Sequence, residues 1–305
     1  TTEIYTLSLH DALPISLIMP DRFRDPYIFE NIVAMNDAVL NSAGVIDMSR
    51  VAFIEPYSML SFLLMGRNYL RKSGERIRLV NIPLQINQYL TRMDFLSRGV
   101  FNVSETIPDS MVLKRSISSS RLLEIVEKPN KERQSVNVIA SVIALFRKRA
   151  HGILKFWMNE EVVDYFVTVI SELCQNIFEH SMDSGFLAMQ TYKSGNENIA
   201  RLVISDSGVG IRKSFEQKSE ITYSTGAELI EKALTTPISS KREFGYGLCQ
   251  VNAITERLKG SVFIRSDTSS LTALYNRKEK SGKNIFLRND LPQFDGTQIS
   301  ISLSS

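Results

Sequence analysis

The chain has 305 residues, 43% of them apolar, with 36 lysines and arginines against 33 acidic residues, a composition ordinary for a globular protein and long enough for two domains. Its charges are scattered, without a long basic run or much aromatic interleaving, which argues against direct nucleic-acid binding. No apolar run reaches the ~20 residues that a membrane-spanning helix needs, since the longest, VAFIEPYSMLSFLLMG, is broken by Glu55 and Pro56.

Residues 1–16, TTEIYTLSLHDALPIS, resemble the in-frame translation of a widely used sequencing adapter and are expected to be a non-native leader. They lack the basic start and continuous apolar run of a signal peptide. Without Glu3 and Asp11 the net charge moves from +3 to +5. Next, residues 28–42 are predicted helical, AGVIDMSRVAFIEP strand, and YSMLSFLLMGRNYLRKSG an amphipathic helix closed by Gly74. RIRLVNIP is a second strand stopped by Pro83, and LQINQYLTRMDF a second helix. Strands alternating with helices over 17–103 predict a small, mostly parallel α/β domain. Residues 104–134 turn to Ser, Lys and Pro (KRSISSSR, EKPNKERQ) and read as a linker with one strand at Leu122–Val126. From 135 onward come long helices to about Met182, then strand, turn, a Ser- and Thr-rich stretch, a helix to Gly260, and strands to the end. Cys174 and Cys249 fall in predicted helices without metal-ligand spacing, as expected in a reducing cytoplasm.

Residues 172–180, ELCQNIFEH, carry Glu172, Asn176 and His180 at every fourth position of an otherwise apolar helix. Four residues advance a helix by ~6 Å and turn it by ~40°, so the three polar groups form one ribbon. Val162, Phe166, Val169, Ile170, Leu173 and Ile177 fall on the adjoining arc, which places the ribbon along the edge of a buried face. A carboxylate there needs a partner, so the helix borders solvent or something polar docks on it. Three further stretches follow. RLVISDSGVGI (201–211) is an apolar strand ending in Asp206, with Gly208 and Gly210 after it. FGYGLCQVNAI (244–254) is a Gly-x-Gly turn entering a helix, and FDGTQISISL (294–303) a Gly-Thr step entering a final strand. Singly these are a solvated face, a tight turn, a loop and nothing in particular; their order and context are harder to explain that way.

Together the four stretches resemble the ATP-binding domain shared by gyrase, heat-shock chaperones, histidine kinases and mismatch-repair proteins, the GHKL superfamily, over 135–305. The form most similar is that of anti-sigma-factor serine kinases, whose helix also carries Glu, Asn and His at steps of four. Histidine kinases more often have a second Asn at the first place and a Lys near the third. The resemblance implies an α/β sandwich, helices layered on one mixed sheet, with ATP and Mg²⁺ as cofactors. It implies that Asn176 offers its oxygen to Mg²⁺, that Glu172 is general base towards a serine hydroxyl or a water, and that His180 lines the phosphate side. Asp206 would accept a hydrogen bond from the adenine amino group, with Gly208 and Gly210 permitting close approach and the following turn. Gly245, Tyr246, Gly247 and Leu248 would present a helix N-terminus to phosphate, and Thr297 would support the adenine end. Residues 212–243 would be a mobile lid, with Lys241 and Arg242 as phosphate contacts or simply an exposed basic pair.

The front half, over about 43–98, resembles the small α/β fold called STAS, typified by anti-sigma-factor antagonists. The phosphorylatable Asp-Ser-Ser-Gly turn of that family stands here as Glu55-Pro56-Tyr57-Ser58. The acceptor position falls on Tyr57 with Ser58 one place later, or residues 55–58 merely start a helix. The two resemblances imply a cytoplasmic ATP-binding regulator with serine/threonine-kinase-like activity and a sigma-factor-like or STAS-type protein partner, and leave room for a homodimer. The alternatives are an ATP-hydrolysing conformational switch and a non-enzymatic nucleotide-binding module. A histidine autokinase is disfavoured, because outside the leader only His151 and His180 remain and RAHGILKF lacks an acidic neighbour and a downstream Pro.

Overall fold

The computed structural model describes residues 17–23, 30–31, 33–34, 44–103, 122–128, 136–176, 185–216, 221–238, 247–275 and 284–304, with Phe23, 122–128, 136–143 and Phe146 described by backbone alone. The leader 1–16, linker residues 104–121 and 129–134, His180, Gly245, Tyr246, Lys241 and Arg242 lie outside the described residues.

The front unit is a four-stranded parallel sheet in the order β1-β3-β5-β6, from β1 (Leu17–Ile18), β3 (Val45–Asp47), β5 (Ile77–Val80) and β6 (Phe101–Val103). A short parallel pair, β2 (Arg22–Phe23) with β4 (Phe53–Ile54), stands beside it. The expected helix begins at Pro56, where a missing N–H costs nothing, and runs to Ser73 as α1. Gly74 stops it in the left-handed region at φ 75°, its N–H returning to the Leu70 carbonyl. Helix α2 (Leu84–Arg92) follows. Of the expected helix at 28–42, residues 30–31 and 33–34 are described, and they are helical. Residues 56–66 of α1 are buried without a break, so the helix is covered on more than the single face its sequence predicted.

What covers it is the second sheet. Its seven strands run in the order β12-β11-β10-β13-β9-β8-β7, comprising β7 (Leu122–Lys128), β8 (Gly185–Ser194), β9 (Glu197–Asp206), β10 (Ser261–Asp267), β11 (Ser269–Leu274), β12 (Ile285–Arg288) and β13 (Phe294–Ser304). Every neighbouring pair is antiparallel, which corrects the mixed sheet expected. Two of the six pairs are tight hairpins: Gly195, at φ 59°, lies in the turn between β8 and β9, and Thr268 alone separates β10 from β11. The strand foreseen at Leu122–Val126 extends to Lys128 and is an edge of this sheet.

Both faces of the large sheet's middle strands are buried, and strand alternation divides them. Leu187, Met189, Leu202, Ile204, Val262, Ile264, Ile299 and Ile301 face a helical layer of α3 (Val136–Leu154), α4 (Glu160–Asn176), α6 (Gly226–Thr235) and α7 (Gly247–Arg257). The short helix α5 (Gly210–Phe215) follows β9. Phe186, Ala188, Val203, Phe263 and Phe294 share a core with the front unit instead. There α1 packs on β8, β9 and β13, with Tyr57 edge-on to Phe263 at 5.2 Å and the Arg67 guanidinium 4.6 Å over the Phe186 ring. Ion pairs bracket this contact: Arg201 with Glu55, and Arg265, 1% exposed, with both carboxylate oxygens of Glu30 at 2.9 and 3.0 Å.

Candidate functional site

Helix α4 begins where Asn159 Oδ1 accepts the Val162 N–H at 2.9 Å, with Glu160 and Glu161 in its first turn favouring the positive end of the helix dipole. Its stripe of Val162, Phe166, Val169, Ile170 and Leu173 is buried, and Glu172 and Asn176 are half-buried on its rim, as four-residue spacing predicts. Helix α7 packs against α4, and its first residue abuts both polar groups. A Cβ on Gly247 would lie 3.2 Å from Glu172 Oε2 and 3.3 Å from Asn176 Oδ1. The N–H groups of the first turn of a helix have no partner within it, so a carboxylate, an amide oxygen and a favourable place for an anion meet here. Leu248, next in α7, packs against the helical core.

A second group gathers at the end of β9. Asp206, 7% exposed, accepts the Gly208 N–H at Oδ1 over 2.8 Å, the local turn that short acidic side chains favour. Thr297 is its register partner on β13. Asp206 continues the series Leu202 and Ile204, and Thr297 the series Ile299 and Ile301, so both lie on the helix-covered side with α4 and α7. Gly210, at φ 77°, enters α5, and a Cβ there would meet both Asp267 carboxylate oxygens at 2.9 Å and Ser266 Oγ at 3.0 Å. Ser266 Oγ accepts the Ile211 N–H at 2.9 Å. Burial pushes the Asp267 carboxyl above the usual carboxylate range, aided by the charge of Asp295 and opposed by a hydrogen bond from Gln293.

Sequence reasoning missed several residues of this region. Gly296, the glycine of the Gly-Thr step, was given no role of its own; at φ 84° it has no room for a Cβ, which would lie 1.9 Å from the Asp206 carbonyl oxygen. Ser207, Ser266 and Asp267 carried no recognisable pattern. Of the stretch expected to be a lid, 226–235 form α6 with Leu229, Ile230 and Leu234 buried. Its start is a capping box: Thr225 Oγ1 accepts the Glu228 N–H at 3.2 Å and Glu228 Oε2 accepts the Ser224 N–H at 2.6 Å. Tyr57 and Ser58, the candidate phosphoacceptors, are 2% and 0% exposed. His151 is an exposed residue in the last turn of α3. Among the described residues no group of three or more His, Cys, Asp or Glu side chains could hold a metal ion, and no helix is long and apolar enough to cross a membrane.

A comparison with curated proteins found no match. Residues 161–302 match the family model described as "Histidine kinase-, DNA gyrase B-, and HSP90-like ATPase". This stretch, from the second residue of α4 almost to the end of β13, is an ATP-binding domain of that family's type.

Proposed function

We propose that the protein is an ATP- and Mg²⁺-dependent regulator that transfers the γ-phosphoryl group to a serine or threonine hydroxyl of another protein, in the manner of anti-sigma-type switches. The observation that carries this reading is the meeting of Glu172 Oε2 and Asn176 Oδ1 at Gly247, where a Cβ would stand 3.2 and 3.3 Å from them. The donor chemistry suits the cofactor: the Asn176 amide oxygen is the kind of ligand that would hold a hard divalent cation. Bound Mg²⁺ would neutralise charge developing on the phosphates. Glu172 takes the hydroxyl proton as oxygen bonds to the γ-phosphorus, the bridging P–O bond breaks, and ADP departs with that electron pair. His180, Gly245 and Tyr246 complete the phosphate side in this reading, and Leu248 holds the α7 turn that presents Gly247. Asp206 reads the adenine amino group, Gly208 allows close approach of the backbone, Gly210 makes the following turn into α5, and Thr297 supports the base. Because Tyr57 and Ser58 are buried, the acceptor belongs to a separate partner, of sigma-factor-like or STAS-type character.

Incubation of the full chain with γ-labelled ATP, Mg²⁺ and candidate partner proteins tests this. Glu172→Gln should bind ATP but lose about 10²–10⁴-fold in phosphoryl transfer, the usual contribution of a general base. Turnover unchanged by that substitution, or a wild-type protein that binds no ATP, sinks the proposal. Release of free phosphate without labelled protein replaces the kinase reading with that of an ATPase switch.

A further inference from the structure

We infer that Arg71, at the end of the front unit's helix α1, is a positioning residue for the adenine end of the nucleotide site, acting through Ser207; the inference rests on the nucleotide reading above. The Arg71 guanidinium donates from Nη2 to Ser207 Oγ at 3.2 Å, across 136 positions of sequence. Ser207 is 5% exposed and directly follows Asp206. Successive residues leaving a strand point to opposite faces. Asp206 therefore turns towards the helical layer, and Ser207 turns towards the front unit.

The turn between them is gripped from three directions. The Gly208 N–H ties to Asp206 Oδ1 within the turn. Gly296 presses on it so closely that an added Cβ would lie 2.8 Å from Ser207 Cα. Arg71 holds it from the front. Helix α1 can transmit this because it is fixed at both ends along one strand. Glu55, just before α1, pairs with Arg201 of β9, and Arg71, in the last turn, reaches just past the end of β9. The sixteen steps from Glu55 to Arg71 span ~24 Å at the helical rise, and the six steps from Arg201 to Ser207 span ~20 Å at the strand rise. The two lengths agree, so α1 lies along β9 as a splint whose far end sets the Asp206 turn. A base held by Asp206 is read well only while the front unit is docked.

The test compares ATP with ITP, in which a carbonyl oxygen replaces the adenine amino group that a carboxylate would accept from. Each nucleotide is titrated with Mg²⁺ into the full-length wild-type, Arg71→Ala and Arg71→Lys proteins by calorimetry. Wild type should favour ATP by about tenfold or more, the value of one hydrogen bond to a charged group. Arg71→Ala should bring that ratio down several-fold towards unity while ITP affinity stays within about twofold, and Arg71→Lys, which keeps a donor, should recover part of it. An unchanged ratio in Arg71→Ala, or ATP and ITP affinities falling together, overturns the inference. A wild-type protein that binds both nucleotides equally removes Asp206 from base recognition and overturns it while triphosphate binding stands. A wild-type protein that binds neither defeats the nucleotide reading itself, and the inference with it.

Discussion

Asp267 sits at φ 53°, a left-handed backbone conformation that Asp and Asn tolerate better than other side chains. Burial raises its pKa, Asp295 raises it further, and the Gln293 hydrogen bond opposes both. The folded protein therefore keeps this proton to higher pH than the unfolded chain does. Stability is highest below the unfolded pKa of ~3.9 and declines as pH rises from there through the folded value. Asp267→Asn keeps the shape and removes the charge. Thermal melts across pH should show the variant more stable than wild type at neutral pH, the advantage shrinking to nothing below pH ~4. A difference independent of pH would refute the assignment. Only the four stretches together pointed beyond a solvated face and a tight turn, but at this scale Glu172, Asn176 and Asp206 were legible as polar interruptions of apolar runs. Gly296 was not, because what forbids a side chain there is the Asp206 carbonyl of a strand ninety positions earlier.

The meeting of α4 with α7 turns on a hydrogen atom. Gly247→Ala adds a methyl that favours helix by up to about 1 kcal/mol, 3.2–3.3 Å from Glu172 and Asn176 side-chain atoms able to give way by a few tenths of an ångström. Denaturant unfolding should thus find the variant within about 1 kcal/mol of wild type, while titration should find its ATP affinity lowered. Equal affinity would separate this junction from the nucleotide. Gly74 closes α1 and β13 alternates, as expected, but the single strand expected over 43–56 is two short strands, β3 and β4, in different sheets, and Pro56 is the first residue of α1 rather than the last of that strand. The capping box of Thr225 and Glu228 that starts α6 went unread within the stretch expected to be a lid. The middle strands β9 and β10 carry short apolar runs at 202–204 and 262–264 because both of their faces are buried, whereas β13 alternates.

Across the whole molecule, the front unit and the ATP-binding domain share a core, and the Glu30–Arg265 pair, 235 positions apart, is buried in it. Removing one member leaves the other charge stranded away from water. Arg265→Met alone should cost roughly 3–5 kcal/mol, and Glu30→Leu combined with Arg265→Met should recover only part of it, because the Asp267 and Pro292 carbonyls also lose the guanidinium. Equilibrium denaturation of the three proteins checks this, and additive losses would show that the pair is not a closed unit. The sequence foretold two α/β patterns but not their docking, because each half looks self-sufficient along the chain. Arg201 and Arg265 inside apolar strands were the trace of it, intelligible only once Glu55 and Glu30 are opposite them.

One consequence follows from the unbroken burial of residues 56–66. A rod that is party wall to two rooms gives neither a private foundation, so a flaw in Leu60 or Leu63, both wholly buried, would be felt in each at once. The halves then melt together as a single cooperative body rather than in succession.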